Sequence, residues 1–373
     1  MTALREFFPT LRTRQEVYDD ILSDPHLRVQ FFLWPVEEQE RFLDICSGNR
    51  GLKVLYDAYF QEIFNPDVTP ERLISLLSVL LDKEIVAIRS LRSQSSIIED
   101  NQSLMVLDIV VVLNDGSIVN VEMQKIGYMF PGERACCYSS DLVLRQYGRV
   151  KSEKKRKFSY ADMKPVYSII FMEKSPEIFK AYPDHYIHRF SSKSDSGLSL
   201  SLLQNYLFIP LDIFSKVLQN KGIRNLSRLD AWLLFLSTDD PEKIYMLTET
   251  FPEFRPMYEQ IFTLCHDTGR MMDMFSKELQ MIDHNTVKLM IDQMNDELEA
   301  NREQLKESRE QLEANREQLE ARDKMIQEKD EQIQEKDERI QEKDERIQEQ
   351  NKQLQEKDVE IERLKQLLKK QGE

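Results

Sequence analysis

Long apolar runs are absent from this 373-residue chain: no stretch approaches the roughly 18 residues that a membrane-spanning helix needs. A secretory layout is absent as well, because Met1-Thr-Ala-Leu-Arg-Glu-Phe-Phe8 has no basic segment leading into an apolar core. Cysteine is scarce. Cys46, Cys136, Cys137 and Cys265 show no C-x-x-C spacing, which leaves no framework for structural disulfides. Reduced, buried thiols in a cytoplasmic protein without membrane contact are the expectation. Positive charge is also in deficit, with 51 Lys and Arg against 66 Asp and Glu, a net of -15. From residue 295 onward there are 25 acidic and 17 basic residues, so the rest still carries -7. That balance argues against non-specific coating of DNA and leaves room only for a local basic strip. Glycine and proline are missing altogether from 270 to 371, which marks that region as a different material from the rest.

What is present divides accordingly. Hydrophobic residues make up 41% of the chain, enough for a sizeable core, yet the mean hydropathy is -0.52. The average conceals a globular part of roughly 290 residues and a charged helical remainder.

A single hairpin dominates the globular part. Leu104-Met-Val-Leu-Asp108-Ile-Val-Val-Val-Leu113 is apolar on both faces, as a buried central strand is, except for Asp108. Asn114-Asp115-Gly116 suits a three-residue loop with Gly116 in the left-handed position, and Ser117-Ile-Val-Asn-Val-Glu-Met-Gln124 returns. Such a loop sets Leu113 opposite Ser117, so paired positions sum to 230 and Asp108 faces Glu122. Alternation places Asn120 and Gln124 on that same face, and Lys125 on the other. Opposed carboxylates repel unless a cation sits between them, and a hard divalent ion such as Mg²⁺, or Mn²⁺, is the natural occupant.

Asp, a short hairpin and Glu-x-Gln resemble the active-site signature of the PD-(D/E)xK nucleases. More specifically, the chain resembles the PD-(D/E)xK family transposases, also described as recombination-promoting nucleases. The likeness is carried, in order, by Asp57-Ala-Tyr-Phe-Gln-Glu-Ile-Phe64, Leu107-Asp108-Ile109, Asn120-Val-Glu-Met-Gln124, Arg134 with Tyr138, Arg145-Gln-Tyr-Gly148 and Ala231-Trp-Leu-Leu-Phe-Leu236. The superfamily's usual Lys is Gln124 here, and the family's Phe-Lys pair reads Phe60-Gln61. The resemblance implies an α/β fold: a restriction-endonuclease-like core with a central mixed sheet flanked by helices. A helical subdomain and a long C-terminal helix or coiled coil complete the expected architecture. It implies a divalent-metal-dependent DNA endonuclease linked to mobile elements or recombination. The alternative is a degenerate nuclease fold that acts as a coiled-coil scaffold or partner-binding protein.

Within that expectation Asp108 and Glu122 hold the metal, Gln124 orients water or phosphate, and Asp57 is the extra acid supplied by the first helix. Arg134 and Tyr138 share a helix face, with Gln146 drifting to its edge, and an Arg there can clamp a phosphate or pair with Glu122. Lys151, Lys154, Lys155, Arg156 and Lys157 form a basic run suited to contact with the phosphate backbone.

Helices are expected after Pro35, over 51–65, from Thr69-Pro70 with Thr69 as cap, and over 133–149. Strands are expected over Lys83–Arg92, the hairpin, Val166–Met172 and, at an edge, Tyr186–Phe190. Residues 198–290 read as mostly helical, with Met271, Met272, Met274 and Phe275 as packing residues. The divisions are therefore 1–50, a helical accessory segment; 51–197, the nuclease-like core; 198–290, the helical subdomain; and 291–373, the charged helix. In the last, apolar residues recur every seven positions from Leu298 to Leu368. That period is the mark of a left-handed coiled coil, and hence of a homo-oligomer. Polar residues at the companion positions, Asn301 and Lys336 among them, weaken the seam until Leu364.

Overall fold

A computed structural model of the chain describes residues 4–91, 109–126, 131–222 and 225–371. It forms two compact units, Met1–Gln293 and Met294–Glu373. Among the described residues of the first unit lies a six-stranded sheet in the order β1-β2-β3-β4-β6-β5. Its strands are β1 (Ile88–Ser90), β2 (Ile109–Leu113), β3 (Ile118–Ile126), β4 (Val166–Lys174), β5 (His188–Ser191) and β6 (Gln204–Pro210). Helices α1 (Arg14–Ser23), α2 (Pro25–Leu33), α3 (Val36–Ser47), α4 (Asp57–Ile63) and α5 (Pro70–Leu81) precede the hairpin. After it come α6 (Pro131–Lys154), α7 (Glu177–Lys180), α8 (Leu211–Lys221), α9 (Arg228–Ser237), α10 (Pro241–Thr250), α11 (Arg255–Leu264) and α12 (Thr268–Gln371). A mixed sheet flanked by helices and followed by a long helix is the architecture the resemblance implied.

The hairpin has the expected register: Val110 faces Asn120, Val111 faces Val119, and Val112 faces Ile118. Gly116 sits at φ 86° and donates to the Leu113 carbonyl at 2.9 Å, so the turn needs a residue without a Cβ. Asp115 reinforces it by accepting the Ser117 N–H at 2.8 Å. Every residue of β2 is buried, because both faces of the sheet are covered. On one face Val110, Val112, Ile118 and Val166 pack on Tyr138 and Leu142 of α6. On the other, Val111, Val119, Val121, Ile169 and Phe171 join the main core with Phe60, Leu77, Trp232, Phe235 and Phe275. β3 and β4 run parallel, and α6 supplies the crossover that such a pair requires.

The helices expected after Pro35 and from Pro70 are present as α3 and α5. α3 stops at Gly48 in the left-handed conformation, Ser227 closes a capping box on α9, and Asp240 caps α10. Met271, Met272, Met274 and Phe275 are buried in the core, as packing residues should be.

Four expectations need correction. The strand expected over Lys83–Arg92 is only Ile88–Ser90 among the described residues, paired with Ser90 opposite Val111 at a sheet edge. Thr69 stands at the head of α5, but its hydroxyl donates back to the Ile63 carbonyl at 3.1 Å instead of capping. β6 lies in the stretch read as helical, beyond residue 197, and pairs in parallel with β4. Its short apolar run ends at Pro210, the residue before α8, and periodicity alone does not separate such a run from a helix. Finally, Cys46 and Cys265 are buried but Cys136 and Cys137 are exposed on α6, since Ala135, Tyr138 and Ser139 take the sheet-facing positions. Among the described residues no helix is long and apolar enough to cross a membrane.

The second unit is helical throughout its described length. Leu298, Leu305, Leu312, Leu319, Ile326, Ile333, Ile340, Ile347, Leu354, Ile361 and Leu364 are each about half exposed, an unpartnered stripe within the single chain.

Candidate active site

β3 carries the site because its two faces meet different neighbours. Asn120, Glu122 and Gln124 point toward the α6 side; Val119, Val121 and Met123 point into the main core. Glu122 and Gln124 are 5% exposed, so neither is a surface residue that happens to be polar. The Gln124 amide donates to Glu122 Oε1 at 3.0 Å. Arg134, in the first turns of α6, reaches the same oxygen with Nε at 3.4 Å. Its guanidinium lies over the Tyr138 ring, 4.9 Å from the centroid, because the two residues are one helical turn apart. Glu122, Gln124, Arg134 and Tyr138 therefore converge.

Several polar atoms beside this cluster are unused. Gln124 Oε1, both amide atoms of Asn120 and the Ser168 hydroxyl are buried with no hydrogen-bond partner among the described residues. Ser168 pairs in register with Asn120 across β3 and β4, so the two share a face. A buried unpartnered amide costs about 1–3 kcal/mol, and natural folds retain such groups where something else uses them. Ser168 was missed in the sequence; the signal was one small polar residue inside the apolar run Val166-Tyr-Ser-Ile-Ile-Phe-Met172.

Of the other expected site residues, Gln146 and the basic run do not join this cluster. Asp57 is the first residue of α4. Asp108 precedes β2 by one position in sequence and lies outside the described residues. Gln146 is buried and fully engaged: its Nε2 donates to the Lys164 carbonyl at 3.0 Å and its Oε1 accepts the Lys164 N–H at 2.7 Å. That side chain holds the segment after α6 in place. Lys151 and Lys154 close α6, and Lys155–Lys157 form a 3-10 turn, all five exposed, far along the helix from Arg134. Lys154 pairs with Asp162.

The opposite face of β3 explains why Lys125 cannot stand in for the missing lysine. Its ammonium lies 4.2 Å from the Tyr56 ring centroid and 3.3 Å from Glu278 Oε1. Arg41 completes the group at 2.7 Å from the same oxygen. Burial pulls the Lys125 pKa down, with Glu278 and Glu173 opposing that pull. Burial also pushes the Glu278 carboxyl up, only partly offset by Arg41 and Lys125.

Residues 54–295 match the family described as PD-(D/E)XK nuclease family transposase. The chain belongs to that family. No curated protein and no solved structure matches it. The matched region contains the hairpin, α6 and the parallel strands, which is where the buried polar cluster sits. Family members of this kind use divalent metals. The available donors fit such an ion: Glu122 supplies a buried carboxylate and Gln124 an amide oxygen with no partner among the described residues, both hard ligands. Among the described residues no three acidic, His or Cys side chains cluster, so the set is short by at least one ligand without Asp108.

Proposed function

We propose that the protein is a divalent-metal-dependent DNA endonuclease, linked to mobile elements or recombination and working in the cytoplasm. The observation that carries this reading is a buried Glu122, with Arg134 in reach, beside oxygens that have no partner among the described residues, on a fold of the nuclease family. Asp108 and Glu122 would hold Mg²⁺ or Mn²⁺, with Gln124 and, by the family's pattern, Asp57 completing the catalytic set. The bound ion would supply charge stabilisation at the phosphate and lower the pKa of an attacking water.

The chain's own groups do the rest. Glu122 holds one carboxylate oxygen fixed between the Gln124 amide and Arg134, so its orientation is set before substrate arrives. Gln124 can accept or donate but not ionise, so it orients water or phosphate. Arg134, only a quarter exposed and stacked on Tyr138, is in position to exchange Glu122 for a phosphate oxygen pair. The Lys151–Lys157 run offers contacts to the backbone beyond the cut.

Supercoiled plasmid nicking with Mg²⁺, against a chelator control, tests the reading. Cleavage should vanish in Asp108→Ala and in Glu122→Ala; unchanged cleavage in both purified variants removes the assignment. A second reading is a fold that has lost catalysis and serves as a scaffold, favoured by Gln124 in the lysine position and by the net charge. Absence of nicking by the wild type under all divalent ions would select it.

The exposed heptad stripe of the second unit supports a homo-oligomeric coiled coil. Two active sites would then be available to one duplex, raising the local concentration of the second. Truncation after Asn295 should give a monomer that still nicks plasmid but makes fewer double-strand breaks. Sedimentation of the full chain as a strict monomer at tens of micromolar would refute the coiled coil.

A further inference from the structure

At the end of α6 away from Arg134, three aromatic rings stand together among cations. Tyr147 and Tyr160 are nearly parallel, 16° apart with centroids 6.2 Å from each other. Phe158 meets both edge-on, at 5.4 Å from each and at 88° and 72°. Core aromatics adopt such contacts to exclude water, yet Tyr160 is 75% exposed. Between 147 and 164 there are seven basic and two acidic residues, in a chain whose net charge is -15. Asp162 pairs with Lys154, which leaves Glu153 as the segment's other acid. Lys151 donates to the Tyr147 hydroxyl at 2.8 Å, and Lys155, Arg156 and Lys157 are exposed beside the rings.

The segment is held in place. Gln146 grips the Lys164 backbone through two hydrogen bonds. Ser159 and Asp162 form a capping box between them, with the Ser159 N–H donating to Asp162 at 2.9 Å. A rigid open ring costs little further ordering when a ligand stacks on it.

We propose that Tyr147, Phe158 and Tyr160, with the cations around them, form a platform on which the bases of single-stranded DNA stack. The choice of partner rests on the nuclease reading; the choice of single strand rests on the rings. A duplex buries the faces of its bases in its own stack, so only an unpaired base can use an exposed ring. Basic residues alone would serve a duplex equally well. Thirteen residues of α6 separate Arg134 from Tyr147, about 20 Å along the axis, so the platform would hold strand remote from the cut.

Anisotropy titrations of the full chain in chelator, with a labelled oligothymidylate and a labelled duplex, test this without cleavage. Tyr160→Ala should weaken oligothymidylate binding by roughly tenfold or more and leave duplex binding within about twofold. Tyr160→Phe, which keeps the ring, should bind as the wild type does. Equal losses for the two DNA forms, or no loss for either, would overturn the platform. Changing Lys155, Arg156 and Lys157 together to Gln should weaken both forms and flatten the salt dependence; an unchanged salt slope would also overturn it. Glu122→Gln separates the two proposals, since it should abolish nicking and leave oligothymidylate binding intact. Specific strand binding without nicking would sink only the nuclease, and nicking without it only the platform.

Discussion

The two faces of β3 are built from similar residues and treated oppositely by the fold. On one, Lys125 meets Glu278 and Arg41, and the Tyr56 ring covers the ammonium. On the other, Glu122 shares a single oxygen between Gln124 and Arg134, and Asn120 and Ser168 find no partner among the described residues. The first face binds α3 and α12 to the sheet and has its charges largely matched inside the protein. The second leaves acceptors unmatched among the described residues, where burial makes that costly. One strand thus carries a structural charge cluster and, on its other face, the residues of the proposed site.

The sharpest way to break the comparison is to remove the arginine from each face. Arg41→Ala strands Glu278, whose second oxygen already lacks a partner among the described residues, and loses the contacts over Tyr56 and Phe275. It should cost about 3–5 kcal/mol in denaturant unfolding. Arg134→Ala should cost about 1 kcal/mol, since its pair is longer and its side chain more exposed. Its cleavage rate should nonetheless fall about a hundredfold or more. Equal stability losses would erase the distinction between the faces.

Asn120→Leu comes next. Replacing an unpartnered, fully buried amide by an apolar group of similar size should stabilise the fold by about 1–2 kcal/mol while reducing cleavage. A destabilised variant would mean that the amide is satisfied in solution by ordered water and belongs to the structure.

Acid titration sharpens the other face. The folded-state pKa of Glu278 is raised, so its contribution to stability is complete below the ordinary carboxylate range and is lost as pH climbs through the raised value. The stability of the wild type relative to Glu278→Gln, read from denaturant unfolding at a series of pH values, should therefore decline as pH rises from about 4 toward neutrality. A difference that grows with pH would show that Arg41 and Lys125 outweigh burial.

The smallest effect on folding belongs to Gln124→Lys. The ammonium keeps a donor beside Glu122, so the protein should still fold, and cleavage should rise because a charge is added beside the phosphate. Loss of metal-dependent cleavage in a folded Gln124→Lys protein would give the amide a different role.

The hairpin was legible because its register follows from local rules. A three-residue loop ending in a left-handed glycine leaves one pairing, and alternation then assigns Glu122 and Gln124 to one face and Lys125 to the other. The starts of α3 after Pro35 and of α5 at Pro70 were legible for the same reason, since proline acts on the first helical turn. Gln146 was less so. The sequence placed it near the edge of the Arg134 face, whereas the partner that occupies it, the Lys164 backbone, is fixed by the turn after α6. Cys136 and Cys137 erred likewise, because the general tendency of thiols to be buried cannot tell which side of α6 meets the sheet.

Sequence alone therefore settled the hairpin register, the starts of α3 and α5 and the face on which each residue of β3 lies, all consequences of short-range backbone geometry and side-chain period. It could not decide that Gln204–Pro210 is a strand, because parallel pairing with β4 joins segments more than thirty residues apart and leaves no local mark. Nor could it decide that Lys125 would pair with Glu278 while Asn120 and Ser168 would stay unmatched among the described residues. Those outcomes depend on which distant groups the packed core brings within 3–4 Å, roughly the range over which a buried charge or amide is satisfied or left costly.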